Sequence, residues 1–354
     1  MSRYVVTGAA GFVGRRLSEY LSSHGHEVVA LLRGPGICGA ASPPHPLSRE
    51  GRGEWDRVLY CELGSEPLPV GLMEGVDGVF HLANVAHTDL RGREAERYWQ
   101  VNVAGTEALL QAAAVARAKR FVYFSSVMAV ADPGDECVDE RWDRMPEDAY
   151  GCSKREAEGM VLAAGAESGM HVCNLRPALV YGPGVKGNLS RMLQVVERGR
   201  FPPLPEFGNR RSMVSLDDLI AASWLAMERP QANGQTYIVA DGVDYSPRAL
   251  YEAMCAALGV PVPRWHLPEK VLRLGAAVGD GLEWLVRRKM PLNSAVLSRL
   301  SGSACYRAGR IRDELGWKPG KTFFDVLPEM VGEMRGAIDG QDGRIGRMNR
   351  MSCD

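Results

Sequence analysis

The chain has 354 residues, of which 45% are hydrophobic and 24% are charged, and its formal net charge is −1. This composition is typical of a globular protein with one large or two unequal domains. Because the net charge is close to zero, no global field recruits nucleic acid or an anionic membrane surface.

The absence of targeting signals and the distribution of the cysteines both indicate the cellular compartment. The sequence contains no apolar run of the roughly 18 residues that a membrane span requires, and it opens on a strand-like stretch, not on a signal peptide. Its eight cysteines are scattered, with no C-x-x-C pair. We therefore predict reduced cysteines, no metal site and a cytoplasmic protein.

Short apolar runs alternate with helical patterns through the first half of the chain. The runs lie at residues 4–6, 27–32, 58–60, 78–82, 121–124 and 172–175, and the helical patterns at 15–23, 98–118 and 150–168. Such runs are typical of strands buried on both faces of a parallel sheet. The alternation predicts an α/β, Rossmann-like doubly wound domain over residues 1–180.

The remaining chain differs in composition. Residues 34–53 are rich in Gly, Pro, Ala and Ser and predict a long surface insert. Further helical patterns at 189–198, 216–228, 247–258 and 269–287 predict a smaller mixed α/β substrate lobe over 181–335, interleaved with the first domain. The last of these carries an apolar stripe, which predicts a core or oligomer contact. We expect residues 336–354 to be disordered.

A glycine-rich turn follows the first predicted strand and opens the first helix. It reads Thr7-Gly8-Ala9-Ala10-Gly11-Phe12-Val13-Gly14. Glycines here let the backbone approach a pyrophosphate, whose charge is favoured at a helix N-terminus. The turn predicts a dinucleotide contact at Gly8, Gly11, Phe12, Val13 and Gly14.

Tyr150 and Lys154 are four residues apart, so they share one face of a predicted helix. An ammonium beside a phenol lowers the pKa of the phenol, because it favours the phenolate. The pair therefore predicts a proton-transfer centre.

Together, the glycine turn and the Tyr150-x-x-x-Lys154 motif resemble the short-chain dehydrogenase/reductase superfamily. The stretches at 81–84, 175–177 and 180–184 resemble its extended branch, which holds nucleotide-sugar epimerases, dehydratases and reductases. The resemblance implies a cytoplasmic, nicotinamide-dependent oxidoreductase of polysaccharide biosynthesis. It also implies a homodimer.

Several cofactor contacts follow from this resemblance. In NAD enzymes of this fold an acid usually ends the second strand, whereas here Arg33 stands beside that place, and its guanidinium suits a 2′-phosphate. We therefore expect NADP(H) in preference to NAD(H). Glu62 and Leu63 resemble the pair that meets the adenine. The remaining implied contacts are Leu82, Ala83, Pro177, Tyr150 and Lys154.

The resemblance also implies catalytic roles. Ser126, with Ser125 as the alternative, stands where a hydroxyl residue binds the substrate oxygen. Tyr150 would transfer the proton, and Lys154 would lower its pKa and hold the nicotinamide ribose. Because Val127, Met128 and Ala129 follow Ser126, the acid pair of a dehydratase is missing.

The substrate end resembles a nucleoside diphosphate site. Arg211 and Asn188 fall where the related enzymes contact the diphosphate, and Arg299 is a further candidate. The wording of 179–219 is most similar to bacterial 4-reductases and 4-epimerases of UDP-N-acetylhexosamines. We expect oxidation and reduction at C4 of such a UDP-sugar. The alternatives are a UDP-hexose 4-epimerase with retained NAD, a reductase of a small apolar ketone of steroid or flavonoid type, and a non-enzymatic dinucleotide sensor.

Overall fold

The computed structural model describes residues 1–34, 55–86, 94–263, 265–286 and 293–348. The insert predicted at 34–53 lies outside these residues apart from Gly34. In the part of the chain so described, no helix has the length and apolar character needed to cross a bilayer.

A seven-stranded parallel sheet forms the centre of the molecule. Its strand order is β10-β7-β5-β4-β1-β2-β3. The strands are β1 Arg3–Thr7, β2 Glu27–Leu32, β3 Arg57–Tyr60, β4 Gly78–His81, β5 Arg120–Phe124, β7 His171–Pro177 and β10 Gln235–Val239. The order reverses on either side of β1, and in open α/β sheets such a switch point is where ligands bind. The predicted doubly wound fold is confirmed.

Helices cover both faces of this sheet and also build much of the chain after residue 180. They are α1 Phe12–Ser23, α2 Glu94–Tyr98, α3 Gly105–Val115, α4 Ala149–Ser168, α5 Asn188–Glu197, α6 Leu216–Glu228, α7 Pro247–Leu258, α8 Glu269–Val286, α9 Ser294–Ser301, α10 Gly309–Leu315 and α11 Phe323–Met348. Tyr4 and Phe80 pack into one core, and the alternating residues Val5 and Val79 pack into the core on the opposite face. Burial on both faces explains why these strands read as continuous apolar runs.

Two smaller sheets build the second lobe. One has the order β11-β9-β8 and the other pairs β12 with β6. Their strands are β6 Cys137–Val138, β8 Leu179–Tyr181, β9 Arg211–Ser215, β11 Asp244–Tyr245 and β12 Cys305–Tyr306. A separate apolar core around Tyr181, Met213 and Phe323 supports this lobe. Since β10 returns to the main sheet between lobe elements, the two halves of the chain are interleaved.

Three expectations differ from the structure. The apolar stripe of α8 is not core, because Val271, Leu274 and Val278 are at least half exposed, whereas the buried face carries Leu272 and Ala276. The other expectation for this stripe, an oligomer contact, stays a prediction. The range 98–118 is not one helix, because a π-helix at Trp99–Ala104 separates α2 from α3. Helix α11 covers residues 336–348, for which we expected disorder, and 349–354 lie outside the described residues.

The prediction that all cysteines are reduced is also wrong. Cys137 and Cys305, separated by 168 residues, form a disulfide. They become neighbours because β6 and β12 pair in parallel with these two residues opposite each other. Only tertiary strand pairing brings such distant cysteines together, so their sequence spacing carried no signal.

Candidate active site

The glycine turn lies at the carboxyl end of β1, next to the switch point. Gly8 has a φ of +67°, which favours glycine, and its N–H donates to the Leu31 carbonyl across the sheet (3.0 Å). A Cβ at Gly14 would lie 2.2 Å from the Gly8 carbonyl oxygen, and one at Gly11 would lie 3.0 Å from it. The turn therefore excludes a side chain at Gly14 and disfavours one at Gly8 and Gly11 if β1 is to run directly into α1.

The glycine turn has the features that a dinucleotide site needs. Gly11 is the N-cap of α1 and has no side chain to accept a hydrogen bond from the first helical N–H groups. A helix N-terminus without a capping side chain is suited to a bound phosphate. The predicted contacts Gly8, Gly11, Phe12, Val13 and Gly14 thus lie in one turn at the expected edge of the sheet.

Thr7 connects the turn to the neighbouring strand end. Its Oγ1 accepts hydrogen bonds from the backbone N–H groups of Leu82 (3.1 Å) and Ala83 (3.0 Å) and lies 2.7 Å from His81 Nδ1. His81 is fully buried, which lowers its pKa to about 3 and keeps the imidazole neutral. The predicted contacts Leu82 and Ala83 are therefore held rigidly beside the glycine turn.

The network continues from His81 to the helix of the Tyr–Lys motif. His81 Nε2 lies 2.8 Å from Thr106 Oγ1, which donates to the carbonyl of Asn102 (2.6 Å). Asn102 Nδ2 donates to Ser153 Oγ (3.0 Å), and Ser153 Oγ donates to the Tyr150 carbonyl (2.7 Å). These bonds connect the glycine turn to α4, and the sequence reasoning assigned no role to Thr106, Asn102 or Ser153.

Tyr150 lies in the first turn of α4, which begins after the N-cap Asp148. Its ring packs edge-on against Tyr98 at 5.7 Å between centroids. Burial raises its pKa to about 12, and a side-chain hydrogen bond with Ser126 opposes that rise. We predicted a lowered pKa. The difference arises because desolvation of the phenolate exceeds the favourable contacts, so Tyr150 holds its proton at neutral pH.

Lys154 follows one turn later and is only 1% exposed. Its Nζ donates to Tyr123 Oη (3.1 Å) and to the Phe124 carbonyl (2.8 Å), and it lies 4.5 Å from the centre of the Tyr123 ring. Burial lowers its pKa to about 7, while the carboxylate of Glu158 raises it. Burial thus makes Lys154 easier to deprotonate than an exposed lysine.

Glu158 stands one further turn along α4 and is also buried. Both of its carboxylate oxygens accept from Arg176, with Nε to Oε1 at 2.8 Å and Nη2 to Oε2 at 2.6 Å. Such a bidentate pair fixes the geometry of both side chains. It holds α4, the helix of Tyr150 and Lys154, against β7.

The two serines that follow β5, Ser125 and Ser126, have different surroundings. Ser126 is the N-cap of a short 3-10 helix, where its Oγ accepts from the Met128 N–H (3.1 Å), and it bonds Tyr150. Ser125 Oγ is buried without a hydrogen-bond partner. The geometry favours Ser126 over the alternative Ser125 as the partner of Tyr150.

The remaining cofactor candidates line the same sheet edge. Arg33 is exposed directly after β2, and Pro177 ends β7. Glu62 follows β3 and forms an ion pair with Arg97 (3.4 Å), while Leu63 is buried. They follow strand ends at the edge to which the glycine turn belongs, as carboxyl ends of parallel strands must.

On the lobe side, Arg211 begins β9 and is partly buried. Desolvation lowers its pKa, whereas the nearby Asp132 carboxylate and Tyr306 raise it. Asn188 is exposed at the first position of α5. Arg299 belongs to α9, but its side chain lies outside the described part of the chain.

A glycine-rich turn at the switch point, together with the Tyr150–Lys154 pair on α4 beside the end of β5, is typical of a Rossmann-fold oxidoreductase. Residues 4–240 match the NAD dependent epimerase/dehydratase family. A UDP-glucose 4-epimerase of Vibrio cholerae is 31% identical over 333 residues, which cover 90% of this chain and 91% of that protein. The chain belongs to this family and is an NAD(P)-dependent enzyme of the epimerase/dehydrogenase type.

Other relatives extend the comparison. A 3 beta-hydroxysteroid dehydrogenase/Delta 5-->4-isomerase of Mycobacterium tuberculosis (strain ATCC 25618 / H37Rv) is 27% identical over 94% of this chain and 90% of that protein. Among solved structures, MoeE5 in complex with UDP-glucose and NAD superposes with a TM-score of 0.73 at 21% identity, covering 95% of this chain and 100% of that chain. At that identity the structural likeness supports the fold alone.

Proposed function

We propose that the protein interconverts a carbonyl and an alcohol at C4 of a UDP-N-acetyl-(6-deoxy)hexosamine, with NADP(H) preferred over NAD(H). The observation that carries this proposal is the hydrogen bond between Ser126 and a partly buried, protonated Tyr150, one helical turn from Lys154. This is an arrangement for moving one proton to or from a substrate oxygen.

In the proposed reaction Tyr150 donates its proton to the C4 oxygen during reduction and withdraws it during oxidation. Ser126 orients that oxygen through its hydroxyl. Lys154 supplies positive charge, which favours the phenolate that forms when Tyr150 gives up its proton. A bound nicotinamide would supply the hydride chemistry at C4, the carbon that bears this oxygen.

The cofactor would lie along the strand ends. The uncapped N-terminus of α1 would receive the pyrophosphate, and Leu82, Ala83 and Pro177 would line the approach. Arg33 would bind a 2′-phosphate, because an exposed guanidinium after β2 suits a dianion and no acid stands there to hold a ribose hydroxyl. Glu62 and Leu63 would meet the adenine.

Arg211 supports the choice of a nucleoside diphosphate. Burial lowers the pKa of Arg211, because it disfavours the charged guanidinium. A bound anion would stabilise that charged form. Asn188 would contribute at the N-terminus of α5, and Arg299 stays a candidate. A UDP-sugar and a nicotinamide cofactor meet in the cytoplasm, where we infer that the protein acts. Homodimer formation also stays a prediction.

Two alternatives have support of their own. The Vibrio cholerae relative is named a 4-epimerase, and an epimerase would use the same Tyr150 chemistry twice with a retained NAD. The relatives named as hydroxysteroid dehydrogenases favour an apolar ketone. Arg211 favours a UDP-sugar over that second alternative, because a guanidinium suits a diphosphate and an apolar ketone carries no anionic group for it to bind.

The test is to purify the protein, identify any nucleotide that accompanies it, and follow NADPH and NADH absorbance with UDP-4-keto sugars. Stoichiometric consumption of NADPH supports the reductase proposal. Retained NAD with no net consumption, together with exchange between C4 epimers of a UDP-hexose, would replace it with the epimerase. Turnover of a steroid but of no UDP-sugar would refute both.

A further inference from the structure

The Cys137–Cys305 disulfide joins two segments of the chain, which we call the two walls. Cys137 lies on the segment that runs from Ser126 to α4, and Cys305 lies on β12 of the lobe. The bond therefore connects the segment that follows Ser126 to the lobe that carries the proposed substrate contact Arg211.

The lobe end of this bridge adjoins Arg211. Ala304, the residue before Cys305, forms a β-bridge with Arg211, accepts from the Ser212 N–H (2.9 Å) and donates to the Arg210 carbonyl (2.7 Å). Tyr306, the residue after Cys305, is among the groups that act on the Arg211 guanidinium. The position of Cys305 is thus coupled directly to the position of Arg211.

The other end carries Asp132, whose carboxylate also acts on Arg211. Noncovalent contacts accompany the disulfide at the same joint. Ser303 Oγ donates to Asp135 Oδ1 (2.8 Å), and the Arg307 N–H donates to the Val138 carbonyl (2.8 Å). Since these bonds do not involve sulfur, the joint keeps its pairing after reduction but loses its covalent constraint.

Asp244 and Arg307 decide between a disulfide and a metal site. With the two sulfurs, the Asp244 carboxylate completes a group of three ligand atoms within 4.8 Å of one another. However, the Arg307 guanidinium bonds both Asp244 oxygens (3.1 and 3.3 Å) and lies 3.4 Å from Cys137 Sγ. A cation already occupies the place where a metal ion would need the carboxylate, which favours sulfur chemistry over metal binding.

The two sulfurs differ in access. Cys137 is partly exposed, whereas Cys305 is completely buried. A thiolate from a dithiol reductant would therefore attack Cys137 Sγ, forming a mixed disulfide and releasing Cys305 as the leaving thiolate. After protonation Cys305 has an acceptor in Asp244 Oδ1, 3.5 Å from its Sγ. The second thiol of the reductant then releases Cys137, so the protein gains two electrons and two protons while the dithiol becomes a disulfide.

We propose that Cys137 and Cys305 form a reversible thiol–disulfide site that tightens binding of the nucleoside diphosphate by fixing the Arg211 strand against the Asp132 segment. In the oxidised form the two walls are held together. In the reduced form they separate more easily, so binding weakens while the proton-transfer centre on α4 is unchanged. The inference rests on the proposed function, because it takes the anion at Arg211 to be the diphosphate of the substrate.

The experiment compares the oxidised protein, the protein reduced with dithiothreitol, and the double variant Cys137→Ser/Cys305→Ser. Peptide mapping locates the disulfide, thermal unfolding gives Tm, and calorimetry measures UDP binding. We expect reduction and the double variant to lower Tm by about 4 °C or more. We also expect them to weaken UDP binding by about fivefold or more. The control Cys255→Ala removes a buried free cysteine of α7 and should keep the full response to dithiothreitol.

The outcomes separate the two proposals. Equal UDP affinity in the oxidised and reduced forms overturns the coupling, and absence of a Cys137–Cys305 peptide from the oxidised protein overturns the site. Zinc bound in a one-to-one ratio by the reduced protein, and lost from the double variant, would replace the disulfide with a metal site. Failure of both forms to bind UDP overturns the proposed function, while the mapped disulfide and its Tm shift would still be measured.

Discussion

The Tyr150–Lys154 centre and the Arg211 region are built in opposite ways. The first lies on one helix and is fixed to the parallel sheet by the Glu158–Arg176 pair and by hydrogen bonds that reach back to Thr7. The second lies where short strands from distant parts of the chain meet. The proposed proton transfer thus depends on a rigid scaffold, whereas the proposed substrate binding depends on a joint between segments that are distant in the chain.

The largest effect should come from removing the hydroxyl group of Tyr150. In Tyr150→Phe the proton donor is lost while the ring still packs against Tyr98, so we expect turnover to fall by about 10²- to 10⁴-fold. Cofactor affinity, measured by fluorescence titration, should stay within twofold of the wild type, roughly. Tyr20→Phe, on α1 and away from the site, is the matched control. Unchanged turnover in Tyr150→Phe would mean that Tyr150 is only structural.

The second prediction addresses the joint. Arg211→Met removes the guanidinium but keeps much of the side-chain length, so a lost contact of about 1.5–3 kcal/mol should raise KM for the UDP-sugar about 10- to 100-fold. The effect on kcat should be much smaller. Arg210→Met is the control, because that exposed neighbour donates to the Asp135 carbonyl instead. Equal effects of the two substitutions would refute a special role for Arg211.

The third prediction tests the exposed end of β2. Arg33→Asp replaces a cation with the acid that NAD enzymes of this fold use, so the ratio of NADPH to NADH efficiency should fall by about tenfold or more. Steady-state kinetics with both cofactors measure it. Arg229→Asp introduces the same charge change at an exposed position after α6 and should leave the ratio unchanged. An unaltered ratio in Arg33→Asp would show that this residue does not read the phosphate.

The smallest effect concerns stability. Burial lowers the pKa of Lys154 from its ordinary 10.5 to about 7. Between these values the unfolded chain binds more protons than the folded protein, so this group makes the free energy of unfolding rise with pH. Lys154→Met should flatten that rise between about pH 7 and pH 9.5 in urea titrations. Lys119→Met, which removes an exposed lysine, should keep the slope. A slope unchanged in Lys154→Met would assign the pH dependence to other groups.

Local signals explain what was predictable. The bounds of α6 and α7 agree with their helical patterns, and successive turns of α4 bring Tyr150 and Lys154 onto one face. Both were predictable because a period of 3.6 residues is visible in the sequence itself. The strands of β2 and β5 were equally clear, since burial on both faces demands unbroken apolar runs. The glycine turn was recognisable because it needs specific residues at fixed short spacing.

Residues that act through distant contacts were less predictable. The two-residue strands β6, β11 and β12 are too short to show a period, and β10 joins the sheet only through its pairing with β7. The exposed stripe of α8 has the same spacing as a buried one, so periodicity could not tell that Leu272 and Ala276 face inward. Such features depend on neighbours that are far away along the chain.

The sequence by itself determined the parallel sheet, the dinucleotide turn and the Tyr150–Lys154 pair, because each is encoded by residues within one strand, turn or helical turn. The tertiary structure decided the electrostatics and the joints. Burial, which no local pattern measures, raises the pKa of Tyr150 and lowers that of Lys154. Likewise, only the pairing of β6 with β12 brings Cys137 to Cys305 across 168 residues and places both beside the strand of Arg211.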